Sequence, residues 1–447
     1  MGGGHALRRI LSLGGLGGLL AGCAIIHVYS AANVERGADP PVKPTRATMR
    51  LRSTDLHRDV FVGIAMSGGG ARAANFSAAV LLELDRLGFL SHASAISAVS
   101  GSALTAAYYG VYARPDRPAE ERAKSWNPET VRRRFLVDFQ THWIVWWFNP
   151  WNIVRYWFTD FDRSDIMKSV FNAYLFEGTA PRFEDMGTGR PKILINATSL
   201  PRVGAFVFTD EEFEEQLNSR LDTYPLAHAI MASGAFPGAF QNVTLQDFKR
   251  PGYYQHLFDG GPSDNLGVLT LLDVIDTVQP GGGCFLFIVD AFPYQTGKGE
   301  KRSDTRNVFD FFVDQNVSDS ADVFLTLRRY DILQRRLQYP RDRRVGEVAQ
   351  WPFKTDGGIR CQAWHLTFQR LHELPQAPGD LKAKLDEEQE VNLVSTRYRL
   401  EGPRLKSEND IQELIFNVAH HLVQEDGVTL PAACDWFRAR GLDACRR

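Results

Sequence analysis

The sequence predicts an α/β fold of three layers, α/β/α, with helices on both faces of a mostly parallel central sheet. Three observations carry this expectation. Short apolar runs at 61–66, 95–99, 193–197 and 284–291 read as buried strands. Segments of helical periodicity lie between them, as from Ala71 to Leu87. Glycine- and serine-rich turns join strand to helix at 67–70 and at 100–102. Strands that alternate with helices form a parallel sheet covered on both sides. Helical patterns at 309–337 and 410–423 flank a further strand candidate at 363–368. No linker separates them from the rest, so residues 56–447 are expected to form one domain, with its motif-bearing core at about 60–295 and a C-terminal extension packed on it.

The amino-terminal region reads differently. Arg8 and Arg9 precede a small, apolar run from Ile10 to Ala21. That run is too short and too glycine-rich for a comfortable membrane span. It ends in Leu20-Ala21-Gly22-Cys23, which resembles the lipobox of bacterial lipoproteins. The resemblance implies a signal peptide over 1–22, lipidation of Cys23, and export to a membrane. Ala24 after the cysteine points, by analogy, to the outer membrane. The competing reading is an uncleaved anchor helix, because Ile25, Ile26 and Val28 extend the run. From about Ala31 to Asp55 the sequence is polar, with Pro40, Pro41 and Pro44, and residues 23–55 are expected to be a tether.

A formal net charge of −2 gives no reason to expect a nucleic acid partner. Besides Cys23 there are four cysteines. Cys434 and Cys445 flank a short segment that a disulfide would staple, and an exported protein can keep such a bond. Cys284 and Cys361 each open an apolar stretch and are expected to be buried free thiols. No spacing suggests a metal site.

Three segments carry candidate chemistry. In Ala98-Val99-Ser100-Gly101-Ser102 a serine stands at a strand-to-helix turn, with small residues two places before and after it. That is what a nucleophile elbow needs, although glycine usually holds the outer places. Taken alone, it reads more readily as a turn that caps a helix. In Ser67-Gly68-Gly69-Gly70-Ala71-Arg72 a glycine run exposes backbone N–H groups. Such donors hold an oxyanion or cradle a phosphate. The Gly-Lys-Ser/Thr ending of a nucleotide loop is missing. Arg72 steadies the loop, meets a lipid head group, or is an exposed helix residue. In Asp259-Gly260-Gly261 the carboxylate follows apolar Leu257 and Phe258, at the expected end of a strand. Partial desolvation there would make it a better base. Asp264 and Asn265 read as turn or capping residues.

Together these segments resemble the patatin-like phospholipases, over about Val60 to Gly267. The glycine loop followed by Ser-Gly-Ser is also similar to the cytosolic phospholipase A2 branch of that fold. Ala232-Ser233-Gly234-Ala235-Phe236-Pro237 is similar to the segment before the family's acid. The resemblance implies that Ser100 attacks an ester carbonyl of a phospholipid, lysophospholipid or other acyl lipid, and that Asp259 takes its proton. Gly68, Gly69 and Gly70 would form the oxyanion hole, and no cofactor or metal is implied. Two other readings stand beside it. His365, His372, His420 and His421 follow Asp259, so a Ser-His-Asp esterase has the required chain order. A lipid-binding or scaffolding lipoprotein on a degenerate hydrolase fold would need none of this chemistry.

The segment 143–161 has the most unusual local composition, with tryptophan at 143, 146, 147, 151 and 157. Tryptophan and tyrosine favour membrane interfaces. The segment is expected to line an acyl groove, to touch a bilayer, or to pack over the core as a lid.

Overall fold

The computed structural model describes residues 30–37, 40–292, 315–390 and 409–445. The proposed lipidation site Cys23 and the signal segment lie outside the described residues. The strands in chain order are β1 (Val34–Glu35), β2 (Phe61–Met66), β3 (Ala95–Val99), β4 (Lys192–Ser199), β5 (Gly204–Phe208), β6 (Ser219–Arg220), β7 (Val243–Asp247), β8 (Tyr253–Phe258), β9 (Cys284–Asp290), β10 (Gln350–Lys354) and β11 (Arg360–Thr367). Helices used below are α1 (Gly70–Arg86), α2 (Ser102–Tyr108), α3 (Phe139–Trp147), α4 (Pro150–Phe158), α5 (Arg163–Val170), α6 (Val268–Val278), α7 (Gln315–Asp331), α8 (Asn409–Gln424) and α9 (Thr429–Arg438).

Nine strands form one mixed sheet in the order β10-β11-β9-β2-β3-β4-β8-β7, with β5 also on β4. The pairs β11–β9, β9–β2, β2–β3 and β3–β4 are parallel. Antiparallel pairs finish both edges. The central strands are apolar at almost every position because both faces are covered. In β2, Val62, Ile64 and Met66 enter the larger core with α1, α2, α8 and α9. Phe61 and Ala65 enter the smaller core with α6. Alternating side chains of one strand therefore serve two layers. α1 is buried along nearly its whole length, and its small residues let α8 cover it from outside. β10 and β11 extend the same sheet, so the C-terminal region and the motif-bearing core share it.

Two expectations need correction. Much of the 23–55 segment is not a free tether. β1 pairs with β6, and Asn33 Nδ2 donates to Ser219 Oγ and to the Gln246 carbonyl. The Arg46 side chain is fully buried, bonded to the Met186 and Arg190 carbonyls and to the Asp116 carboxylate. Polar composition signalled solvent, but these polar groups find partners on the body. Cys284 and Cys361 are not free thiols. β9 and β11 place them directly opposite in register, 4.4 Å apart at Cα, and they form a disulfide. Cys434 and Cys445 form a second disulfide between α9 and the chain end.

Candidate active site

The site forms where β2, β3 and β8 deliver their C-terminal ends. Ser100 follows the last residue of β3 and has φ of +53°, in the left-handed region. A serine held there is a strained apex, the geometry of a nucleophile elbow. Gly101 is required by contact, because a Cβ at that position would lie 1.9 Å from the Gly70 carbonyl oxygen. The glycine loop and the elbow thus touch backbone to backbone. Ser102 stands where glycine is usual, and its hydroxyl is used. Its Oγ accepts from the Val99 amide at 3.0 Å and lies 2.8 Å from the Met66 carbonyl. The departure from glycine therefore ties β2 to β3 and leaves the turn intact.

The acid arrives from β8. Asp259 directly follows Phe258, as its apolar neighbours suggested. Its Oδ2 lies 2.8 Å from Ser100 Oγ, and its Oδ1 accepts from the Gly261 amide at 2.8 Å. Ser100 is 7% exposed and Asp259 3% exposed. Burial pushes the Asp259 carboxyl up to about 6, against the opposing pull of the Gly261 and Ser100 hydrogen bonds. A carboxylate held by two neutral donors is poised to accept a proton near neutral pH.

Ser233 joins the two halves, a role that the sequence did not reveal. It lies in the Ala-Ser-Gly-Ala-Phe-Pro segment. Its Oγ accepts from the Ser100 amide at 2.7 Å and donates to the Asn196 carbonyl at 2.5 Å. The same segment receives the amides of Asp259 and Gly260 on the Ala235 and Ser233 carbonyls. Nucleophile and acid are therefore fixed to one short stretch of backbone.

The glycine loop contributes fewer donors than expected. The Gly68 amide donates to the Asn265 carbonyl at 3.0 Å, so it is not free to hold an oxyanion. The amides of Gly69 and Gly70 make no hydrogen bond among the described residues. Both glycines have positive φ, +135° and +55°, a path that glycine follows at low cost. A Cβ at Gly68 would sit 3.3 Å from Ser100 Cβ, which shows how closely the loop approaches the serine. Arg72 is buried rather than exposed, and its Nε donates to the Ala291 carbonyl at 2.6 Å. It clamps the loop to the end of β9 and does not present itself to a head group.

Asp264 accepts from the amides of Leu266, Gly267 and Leu269 at the start of α6, the capping role expected of it. The histidine alternative is not supported. His365 Nε2 lies 2.8 Å from Asp290 Oδ2, and Arg329 binds the same carboxylate. Burial would raise the Asp290 carboxyl, but Arg329 and His365 outweigh it and hold it below the usual range. His372 faces Asp386, His420 faces Glu83, and His421 faces Glu425. Each of the four is engaged with a carboxylate other than Asp259. α7 covers the acid's turn, with Leu325 against Gly261 and Arg328 Nε donating to the Ser263 carbonyl.

Residues 64–272 match the family model of patatin-like phospholipases, a span that holds the glycine loop, Ser100, Ser233 and Asp259. No curated protein matches the chain. Among solved structures it is similar to human GIVD cytosolic phospholipase A2 in complex with methyl gamma-linolenyl fluorophosphonate. That pair shares 15% identity over 86% of this chain and 60% of the other, with a TM-score of 0.45. It is also similar to VipD from Legionella pneumophila, at 10% identity over 86% and 77% of the two chains and a TM-score of 0.27. This chain thus spans about three fifths of the length of the human enzyme.

Proposed function

We propose, from the premise that residues 64–272 form a patatin-like phospholipase domain, that this protein is a lipid acyl hydrolase working through a Ser100–Asp259 dyad. The observation that carries the reading is the 2.8 Å bond between Ser100 Oγ and a buried Asp259 carboxylate raised to about 6. The substrates are carboxylic esters of phospholipids or lysophospholipids.

The geometry supports the following sequence. Ser100 Oγ attacks the ester carbonyl carbon as its proton passes to Asp259 Oδ2. The carbonyl oxygen becomes an oxyanion and accepts from the amides of Gly69 and Gly70. A backbone donor of this kind is worth about 3 kcal/mol in the transition state. The tetrahedral intermediate collapses, and the alcohol leaves with the proton that Asp259 held. An acyl group remains on Ser100 Oγ. Water then attacks the acyl carbon, again with Asp259 as base, and releases the fatty acid and Ser100. No histidine enters, because one carboxyl both accepts and returns the proton. A raised titration point suits that double duty.

The place of action belongs to the same proposal. Lipidation at Cys23 would hold the protein on a membrane, in an exported compartment where the two disulfides are stable. The test is fatty acid release from phospholipid by the full chain, with Ser100→Ala and Asp259→Asn alongside. Release by the parent and its loss in both variants is the expected result. Equal release by Ser100→Ala would reject the dyad. A folded parent that releases nothing from phospholipids or simple esters would favour the binding or scaffolding reading.

A further inference from the structure

The aromatic segment splits into two helices with opposite fates. α3 is rooted in the body: Trp143 is buried, its Nε1 donates to the Arg163 carbonyl at 2.9 Å, and its ring packs on Phe240. α4 buries no residue. It is started by its own signals, since Pro150 holds its first position and Asn149 Oδ1 accepts from the Trp151 amide. Asn152 Nδ2 fastens it to the Trp146 carbonyl at 2.8 Å. Its outer side is apolar. Trp151, Trp157 and Phe158 are 68%, 64% and 68% exposed, and Val154 lies between them at helical spacing. Phe148, 61% exposed, continues the patch into the turn between the helices. The only formal charge on α4 is Arg155. A contiguous apolar surface on a firmly capped helix marks an interaction face.

The position of the amino-terminal segment says what covers it. Ser30 and Ala32 line a cleft with Asp162, Ser164, Asp165 and Lys168. Those residues are the cap and first turns of α5, which begins five residues after Phe158. Cys23 precedes Ser30 by seven residues, a reach of at most about 25 Å fully extended. A lipid on Cys23 would therefore lie within that reach of the start of α5, the helix that follows α4 in the chain. Among the described residues no helix is long and apolar enough to cross a membrane, and the nine residues of α4 could meet a bilayer only along its surface. Tryptophan and phenylalanine over one side of a short helix fit the boundary between head groups and acyl chains.

We propose that α4 and Phe148 form a bilayer-docking face, lying in the membrane surface beside the point where the amino-terminal segment enters it. The proposal deepens the lipid-hydrolase reading and rests on it for its purpose, since docking here would bring the site to its substrate.

The test uses the full chain in phosphatidylcholine vesicles that contain a bromine-labelled phosphatidylcholine as a short-range quencher. Fluorescence of the parent is compared with that of Trp151→Phe/Trp157→Phe. The parent's quenched fraction is expected to be at least about twofold that of the double variant, with equal unfolding midpoints showing that both are folded. A triple variant, Trp151→Ala/Trp157→Ala/Phe158→Ala, should lose about tenfold in rate on vesicles and nothing on a soluble short-chain ester. Equal quenching in parent and double variant would overturn the proposal. So would self-association of the parent that the triple variant abolishes without any quenching, which would assign the face to a second copy of the chain. Quenching involves no chemistry, so failure of the catalytic reading would leave this result standing.

Discussion

Replacing Asp259 by asparagine should stabilise the protein while abolishing its chemistry. Burial moves the Asp259 carboxyl from 3.8 to about 6. Each pH unit of such a displacement corresponds to about 1.4 kcal/mol, so the ionised form carries a penalty of about 3 kcal/mol. The folded protein keeps this proton to about pH 6, whereas the unfolded chain loses it near 3.8. Between those values the native state binds more protons, so its stability falls as pH rises, and above about 6 the full penalty is present. The asparagine side chain would keep an acceptor for the Gly261 amide and a donor facing Ser100 Oγ, but no charge. Asp264, also buried and raised to about 6, contributes the same trend to both proteins and cancels in the difference. Urea unfolding of parent and Asp259→Asn should show the variant more stable at pH 7.5 by up to about 3 kcal/mol. The gap should close towards pH 4. A gain of equal size at both pH values, or no gain at pH 7.5, would refute the assignment of Asp259 as a desolvated carboxylate.

The same site geometry sets three further expectations. For a soluble ester, kcat/KM should be flat above about pH 6 and fall about tenfold per pH unit below it, as Asp259 takes up its proton; a profile with a limb near 7 removed by a histidine substitution would contradict the dyad. Gly101→Ala should destroy the elbow, since the new methyl would overlap the Gly70 carbonyl, and circular dichroism with ester hydrolysis would show a misfolded or inactive protein. Cys284→Ala/Cys361→Ala should cost roughly 4–5 kcal/mol and Cys434→Ala/Cys445→Ala roughly 3, because the closed loops span 77 and 11 residues. Denaturant midpoints check that order.

The parallel centre of the sheet was legible because its strands are unbroken apolar runs bounded by glycine turns. β2 and β3 occupy the expected residues 61–66 and 95–99. The edge strands were not legible. β8 exposes Tyr253 and Tyr254 and carries His256, so its side chains give no clear alternation until Leu257. Ser100 and Asp259 could be named because each follows a strand and opens a glycine turn. Ser233 could not be given its role, because its work is to bond backbone groups at Ser100 and Asn196, distant in sequence. Gly68 misled for a related reason: a glycine run shows that amides are unshielded, not that they lack a partner such as the Asn265 carbonyl. Cys284 and Cys361 read as core residues one at a time, and only the register of β9 against β11 brings them together. The polar 31–55 segment shows the same limit, since composition cannot tell a solvated arginine from Arg46, buried among carbonyls.

The most direct test of the Ser100–Asp259 dyad is covalent labelling of the full chain with an alkyl fluorophosphonate, followed by peptide mass spectrometry. One adduct, on the peptide containing Ser100 and absent in Ser100→Ala, with labelling slowed by orders of magnitude in Asp259→Asn, is the expected result. No adduct on a folded protein, or an adduct elsewhere that Asp259→Asn leaves unchanged, would contradict a nucleophilic serine activated by this carboxylate.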